Sequence, residues 1–87
     1  GPIPDRLGLM YPNPASDQAF YDIELEANES GVIELIDVFG QVVKSYSFTE
    51  GQNHVVLDLS NLSSGVYSYR VFILGEAKAS EILIISR

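Results

Sequence analysis

His54 is the chain's single histidine, and Asp22, Glu24 and Glu26 set three carboxylates at every second position upstream of it. A hydrolase or a metal centre is built from such residue types. A Ser-His-Asp triad would have to join His54 to a strand serine and a distant carboxylate, yet no nucleophile elbow surrounds any serine. The ring therefore reads as an exposed strand residue packed over Val56. Zinc would have to lean on carboxylates, because there is no cysteine. Period two spaces the three carboxylates roughly 7 Å apart along one strand, wide for joint coordination of calcium, and no EF-hand spacing is present. A solvated acidic face is the reading that remains. Paired-carboxylate glycoside chemistry needs a cleft that so small a chain does not imply. Gly51, Gly65 and Gly75 are isolated turn glycines that open no phosphate cradle. No cofactor and no metal are expected, and the chain is read as non-catalytic.

The aromatic residues Tyr67, Tyr69 and Phe72 fall on both faces of one strand. Tyr67 and Tyr69 share a face with Val71 and Ile73, which makes them core rather than a sugar-stacking platform. Asn28-Glu29-Ser30 and Asn61-Leu62-Ser63 match the glycosylation acceptor pattern in loops, a tripeptide common by chance. The front of the chain is more distinctive. Pro12 and Pro14 flank Asn13 directly after an apolar run, fixing their own φ and holding Tyr11 and Asn13 extended. Such a stiff segment either ends a first strand and steers the chain onward, or presents a preorganised surface to a partner.

These residues have to be positioned by a single domain, since 87 residues leave no room for two. With 46% apolar and 20% charged residues the chain lies outside the disordered class despite a net charge of -7. That charge repels phosphate backbones, and Arg6, Lys44, Arg70, Lys78 and Arg87 are too scattered to form a basic patch, so nucleic acid is excluded as a partner. The absence of cysteine excludes disulfides and thiol chemistry while leaving the compartment open. The longest apolar run, at 82–85, is far too short to span a bilayer. Gly1-Pro2 looks like the scar of a tag-removing protease, so residues 1–6 are expected to be scar and linker and residues 7–87 the domain.

Alternation of period two runs through most of the chain. Tyr21, Ile23 and Leu25 oppose Asp22, Glu24 and Glu26; turn formers at 28–31 precede an extended stretch at 32–37. Gly40 suits a positive φ in the following turn, where Asp37 is placed to accept backbone hydrogen bonds. The strand at 42–48 should carry its apolar side on Val42, Tyr46 and Phe48. Residues 54–59 alternate again, and the polar loop at 60–65 carries one apolar plug, Leu62. Strands at 66–74 and 78–85 are expected to form a hairpin about Gly75-Glu76. With a leading strand at 7–11, this predicts an all-β, immunoglobulin-like antiparallel sandwich of about seven strands, with an open barrel as the rival arrangement.

Read together, L-M-Y-P-N-P-A-S at 9–16, the I-D-V-F-G-Q-V-V stretch at 36–43, and Leu59 and Leu62 ahead of Gly65-Val66-Tyr67 resemble the C-terminal sorting domain of cargo exported by the type IX secretion system of Bacteroidetes-type bacteria. The resemblance runs from about residue 9 to Arg87. It implies a β-sandwich address label, covalently linked to an N-terminal cargo and recognised by the outer-membrane translocation machinery. It further implies removal by a sortase-like peptidase that cuts near or before Arg6, with the cargo passing through the periplasm to the outer-membrane surface or the medium. By position, Tyr11, Pro12, Asn13 and Pro14 match the front motif, Asp37 and Gly40 the middle turn, and Gly65 and Tyr67 the penultimate-strand motif. The family's last strand has a lysine before its apolar run and a basic end; here Glu81 precedes Ile82, Lys78 lies earlier, and Arg87 keeps the basic end.

That last strand is apolar on both faces, because Ile82 and Ile84 point opposite to Leu83 and Ile85. A small sandwich covers only one of those faces, so the other is expected to meet a partner, either the secretion machinery or a second copy in a homodimer through this strand. The competing reading is an immunoglobulin-like accessory module that stays attached and binds carbohydrate or protein in the mature secreted product.

Overall fold

The computed structural model describes residues 7–87. Six strands follow one another: β1 (Gln18–Asp22), β2 (Ser30–Ile36), β3 (Val42–Thr49), β4 (His54–Asp58), β5 (Gly65–Ile73) and β6 (Glu76–Ile85). They divide into a two-stranded sheet, β1-β4, and a four-stranded sheet in the order β3-β2-β5-β6, all paired antiparallel. The division into two sheets is the sandwich rather than the barrel. Alternation drives it: Ala19 and Tyr21 of β1, Val55 and Leu57 of β4, Ile33 and Leu35 of β2, Tyr67, Tyr69, Val71 and Ile73 of β5, and Leu83 and Ile85 of β6 all enter one core. Burying these side chains supplies the main driving force, on the order of 1.5–3 kcal/mol for each large one. Leu62 packs against the same core from its loop, as the plug the sequence indicates.

Several boundaries differ from the sequence reading, each for a local reason. The leading strand at 7–11 is reduced to two isolated antiparallel bridges, Leu7 to Ile23 and Tyr11 to Phe20. The register slips by one residue between those bridges, so no continuous ladder forms. β1 ends at Asp22, which leaves Glu24 and Glu26 beyond the strand that was to align all three carboxylates. On β3, Val43 and not Val42 packs against the core, because the register shift at Leu35/Ile36 pairs Ile36 with Val42 and leaves Val43 as the extra, bulged residue. The β5-β6 hairpin turns on Leu74-Gly75, with φ of 51° and 78°, one residue earlier than Gly75-Glu76. Two consecutive positive φ values are what a two-residue hairpin of matching twist requires, and Gly75 takes the second without strain.

β6 is an edge strand of the larger sheet. Its inner residues Leu83 and Ile85 are buried, while Ile82 is 58% and Ile84 40% exposed on the outer face. The two-sided apolar character read from the sequence therefore belongs to an edge rather than to a centre.

Candidate recognition site

The front motif closes the seam between the two sheets. Tyr11 exchanges backbone hydrogen bonds with Phe20 at the edge of β1, donating at 2.9 Å and accepting at 2.6 Å. Four residues later Ala15 does the same at the edge of β6, its N–H donating to the Ile84 carbonyl and its carbonyl accepting from Ser86, both at 2.8 Å. The chain thus switches sheets across Pro12, Asn13 and Pro14, and both X-Pro bonds, Tyr11-Pro12 and Asn13-Pro14, are cis. Between the two pairings the Asn13 amide stands in for a backbone peptide: Nδ2 donates to the Ile82 carbonyl at 2.8 Å and Oδ1 accepts from the Ile84 N–H at 2.9 Å. Met10 is buried beneath, its N–H donating to the Tyr69 hydroxyl at 3.1 Å.

Tyr11 also anchors a polar cluster that sequence reasoning missed. Its hydroxyl donates to Asp22 Oδ2 at 2.6 Å, and His54 Nδ1 lies 2.6 Å from Asp22 Oδ1. The register of β1 and β4 sets Asp22 directly opposite His54. The Tyr11 hydroxyl bond, and after it the His54 bond, hold the Asp22 carboxyl below its ordinary value, while the same carboxylate pushes the Tyr11 phenol up. The His54 ring stacks on Phe20, with centroids 5.2 Å apart and planes at 19°, a cross-strand contact that the sequence reading does not include. Only the facing strands could have revealed this, since His54 lies 32 positions from Asp22 and farther still from Phe20.

At the other end, Arg87 gathers a loop. Its Nε donates to Asp17 Oδ1 at 2.9 Å, and its two terminal nitrogens donate to the carbonyls of Leu62 and Leu59. The Arg87 N–H reaches Ser64 Oγ at 3.2 Å. One planar guanidinium thereby ties the stretch ahead of β1 to the loop ahead of β5. Tyr67 secures the same loop from below, its hydroxyl donating to the Ser63 carbonyl at 2.6 Å, the geometry of a tyrosine corner. Gly65 begins β5 directly after this loop.

The middle turn is built as its sequence indicates. Asp37 Oδ1 accepts from the Phe39 N–H at 2.9 Å and the Gln41 N–H at 3.0 Å, and Gly40 has φ of 83°. This turn and the 61–67 segment line a common groove of about 380 Å³, so the Asp37 and Gly65-Tyr67 motifs meet in space. The front motif lies along the β6 edge, and Arg87 follows the same strand. Lys78 stands apart: it is the extra residue where the β5-β6 register shifts at Val71/Phe72, and its Nζ lies 3.6 Å from Glu76. Among the described residues no group of three or more His, Asp or Glu side chains is placed to hold a metal ion.

A search of curated proteins returns no match. The family model described as a secretion system C-terminal sorting domain matches residues 9–86, from the front motif to the residue before Arg87. The matched span begins at the seam-closing segment and takes in both groove-lining motifs, the residues on which the resemblance rests. The chain belongs to the secretion system C-terminal sorting domain family, the signal that takes proteins through the type IX secretion machinery toward the cell surface or the extracellular space.

Proposed function

We propose that this domain is read by the outer-membrane translocation machinery as a folded surface, and that it has no catalytic role of its own. The observation that carries this reading is the way Asn13, at the front of the matched span, and Arg87, the residue after it, are fastened onto the same sandwich. A signal whose two ends are pinned into one fold exposes three-dimensional features in place of a linear tag. Tyr11, Pro12, Asn13 and Pro14 shape the seam; Asp37, Gly40, Gly65 and Tyr67 shape the groove; Arg87 locks the loop between them. Lys78 at the β6 bulge belongs to the same exposed edge strand. Cargo is joined ahead of the domain and released from it by a sortase-like peptidase. The linker at 1–6 and a cut near Arg6 fall outside the described residues.

The test fuses the whole chain behind a fluorescent cargo bearing an ordinary export signal, in a bacterium with type IX secretion. Cargo outside the cell at the mass of the fusion minus the domain is the expected result. Full-length cargo held in the periplasm would overturn the sorting reading.

A further inference from the structure

Six of the large exposed apolar side chains gather at one corner of the four-stranded sheet: Val38, Phe39, Val42, Val66, Ile82 and Ile84. Register puts them together. Val66 pairs with Ile84, Ser68 with Ile82, Ile36 with Ser68, and Val42 with Ile36, so every one of the four strands adds an apolar side chain to this end of the outer face, with the small Ser68 between them. Ile36 also faces outward by alternation, yet is nearly covered by its neighbours. The Asp37 turn rises beside this platform and carries Phe39 at its tip, 85% exposed.

Two features single out this corner. The turn is rigid, because the Asp37 carboxylate is spent on the Phe39 and Gln41 N–H groups and Gly40 holds the positive φ that closes it. A large aromatic residue held out by a fixed turn loses little freedom on docking. The corner also carries little charge in a chain of net charge -7: of the residues that form it only Asp37 is charged, and its carboxylate is engaged by the turn's own N–H groups. The next outward-facing charges along β2 and β5, Glu34 and Arg70, already lie 3.8 Å from one another.

We infer that this corner is where the domain docks on a protein of the export machinery, with Phe39 entering an apolar pocket of the partner and the neighbouring groove receiving a partner side chain. This rests on the sorting reading above and names the surface that carries it. The charge pattern selects the occupant. A sorting domain has to meet the export machinery, and the net charge of -7 opposes the close approach of a second copy with the same charge or of an anionic lipid surface. The groove beside Phe39, about 380 Å³ and lined by Leu62, Ser64 and Tyr67 among others, supplies the relief that shape recognition by a protein uses.

The experiment compares export of the fluorescent fusion carrying the unaltered chain, Phe39→Ser, and Val56→Ser, an exposed apolar change on the β4 strand of the other sheet. Thermal unfolding first verifies that each variant is folded. Removing an anchor residue should lower extracellular cargo by about tenfold or more, while Val56→Ser leaves it unchanged. As a second readout, the free chain overproduced in the periplasm should compete with cargo export, and its Phe39→Ser form should not. Normal export of the folded Phe39→Ser fusion overturns the inference and leaves the sorting reading standing. Failure of the unaltered fusion to leave the periplasm overturns both. Phe39-dependent dimerisation in sedimentation, or Phe39-dependent flotation with phosphatidylethanolamine and phosphatidylglycerol vesicles, would assign the corner to another occupant and also overturn it.

Discussion

The Asn13 side-chain amide and the backbone of Ile84 are paired as two strand residues would be, with Oδ1 accepting the Ile84 N–H at 2.9 Å. Its other half donates to Ile82 at 2.8 Å, and Ala15 takes the next backbone position at 2.8 Å. An edge strand otherwise offers a row of unpaired groups to any passing chain. Here the terminal half of β6 is capped by a side chain that imitates a peptide, followed by a single parallel bridge at Ala15 to Ile85.

Asn13→Ala should therefore loosen this edge first. Two exposed hydrogen bonds of ordinary strength are worth about 1–2 kcal/mol together, to be read from urea unfolding. The same variant should speed amide exchange at Ile84 more than at Leu83, whose N–H points toward β5 by alternation. Unchanged protection at Ile84 would count against the clamp even if global stability fell.

Arg87→Lys tests whether geometry or charge fastens the loop ahead of β5. The guanidinium meets Asp17 and the carbonyls of Leu59 and Leu62 at once, which a point charge on a flexible stem does not reproduce. The lysine variant should lose about 1 kcal/mol or more of stability, most of what Arg87→Ala loses. Backbone protection should fall in the 59–64 loop. Full rescue by lysine would mean that the Asp17 ion pair alone matters.

The alternation in the sequence carried the inner faces of the strands, because one buried face leaves a period-two trace wherever strands are long enough. It carried the Asp37-Gly40 turn as well, since side-chain acceptance and positive φ are local events. The seam was legible only as stiffness. That Asn13 would bond across to Ile82 and Ile84 depends on β6 being an edge, and strand order is not written in any single stretch of residues. For the same reason the sequence leaves Asp22, Tyr11 and His54 unconnected, and it does not show that β1 brings Phe20 against the His54 ring. The bulge at Val43 exchanged the roles of two adjacent valines that period two alone could not order.

Asp22 gives the acid response a direction. Its carboxyl is held below the ordinary 3.8, first by the Tyr11 hydroxyl and then by His54. A group depressed on folding contributes fully above its unfolded value and loses that contribution as pH falls through the folded one. The loss should thus fall below about pH 4, and Asp22→Asn should flatten that limb of the stability curve. Carboxyl-carbon titration by NMR should show Asp22 moving up toward its ordinary value in Tyr11→Phe. An unmoved titration would mean that the hydroxyl does not hold the charge.

Tyr21 is wholly buried, and its hydroxyl has no hydrogen-bond partner among the described residues. Burial pushes this phenol up to about 12, because ionisation there would strand a charge in the core. A desolvated, unpaired hydroxyl is a cost of about 1–3 kcal/mol that phenylalanine does not bear. Tyr21→Phe keeps the ring and its edge contact with Tyr69, 6.1 Å between centroids at 69°. The variant should be more stable by about 1 kcal/mol, a rise of roughly 4–8 °C in Tm for a domain of this size. Alkali should widen the gap. A pKa raised on folding gives stability that is intact below the unfolded value of 10.0 and lost as pH climbs through about 12, a loss Tyr21→Phe does not share. Melting both proteins at neutral pH and near pH 11 checks the sign; a less stable phenylalanine variant at neutral pH would show that the hydroxyl holds the core together after all.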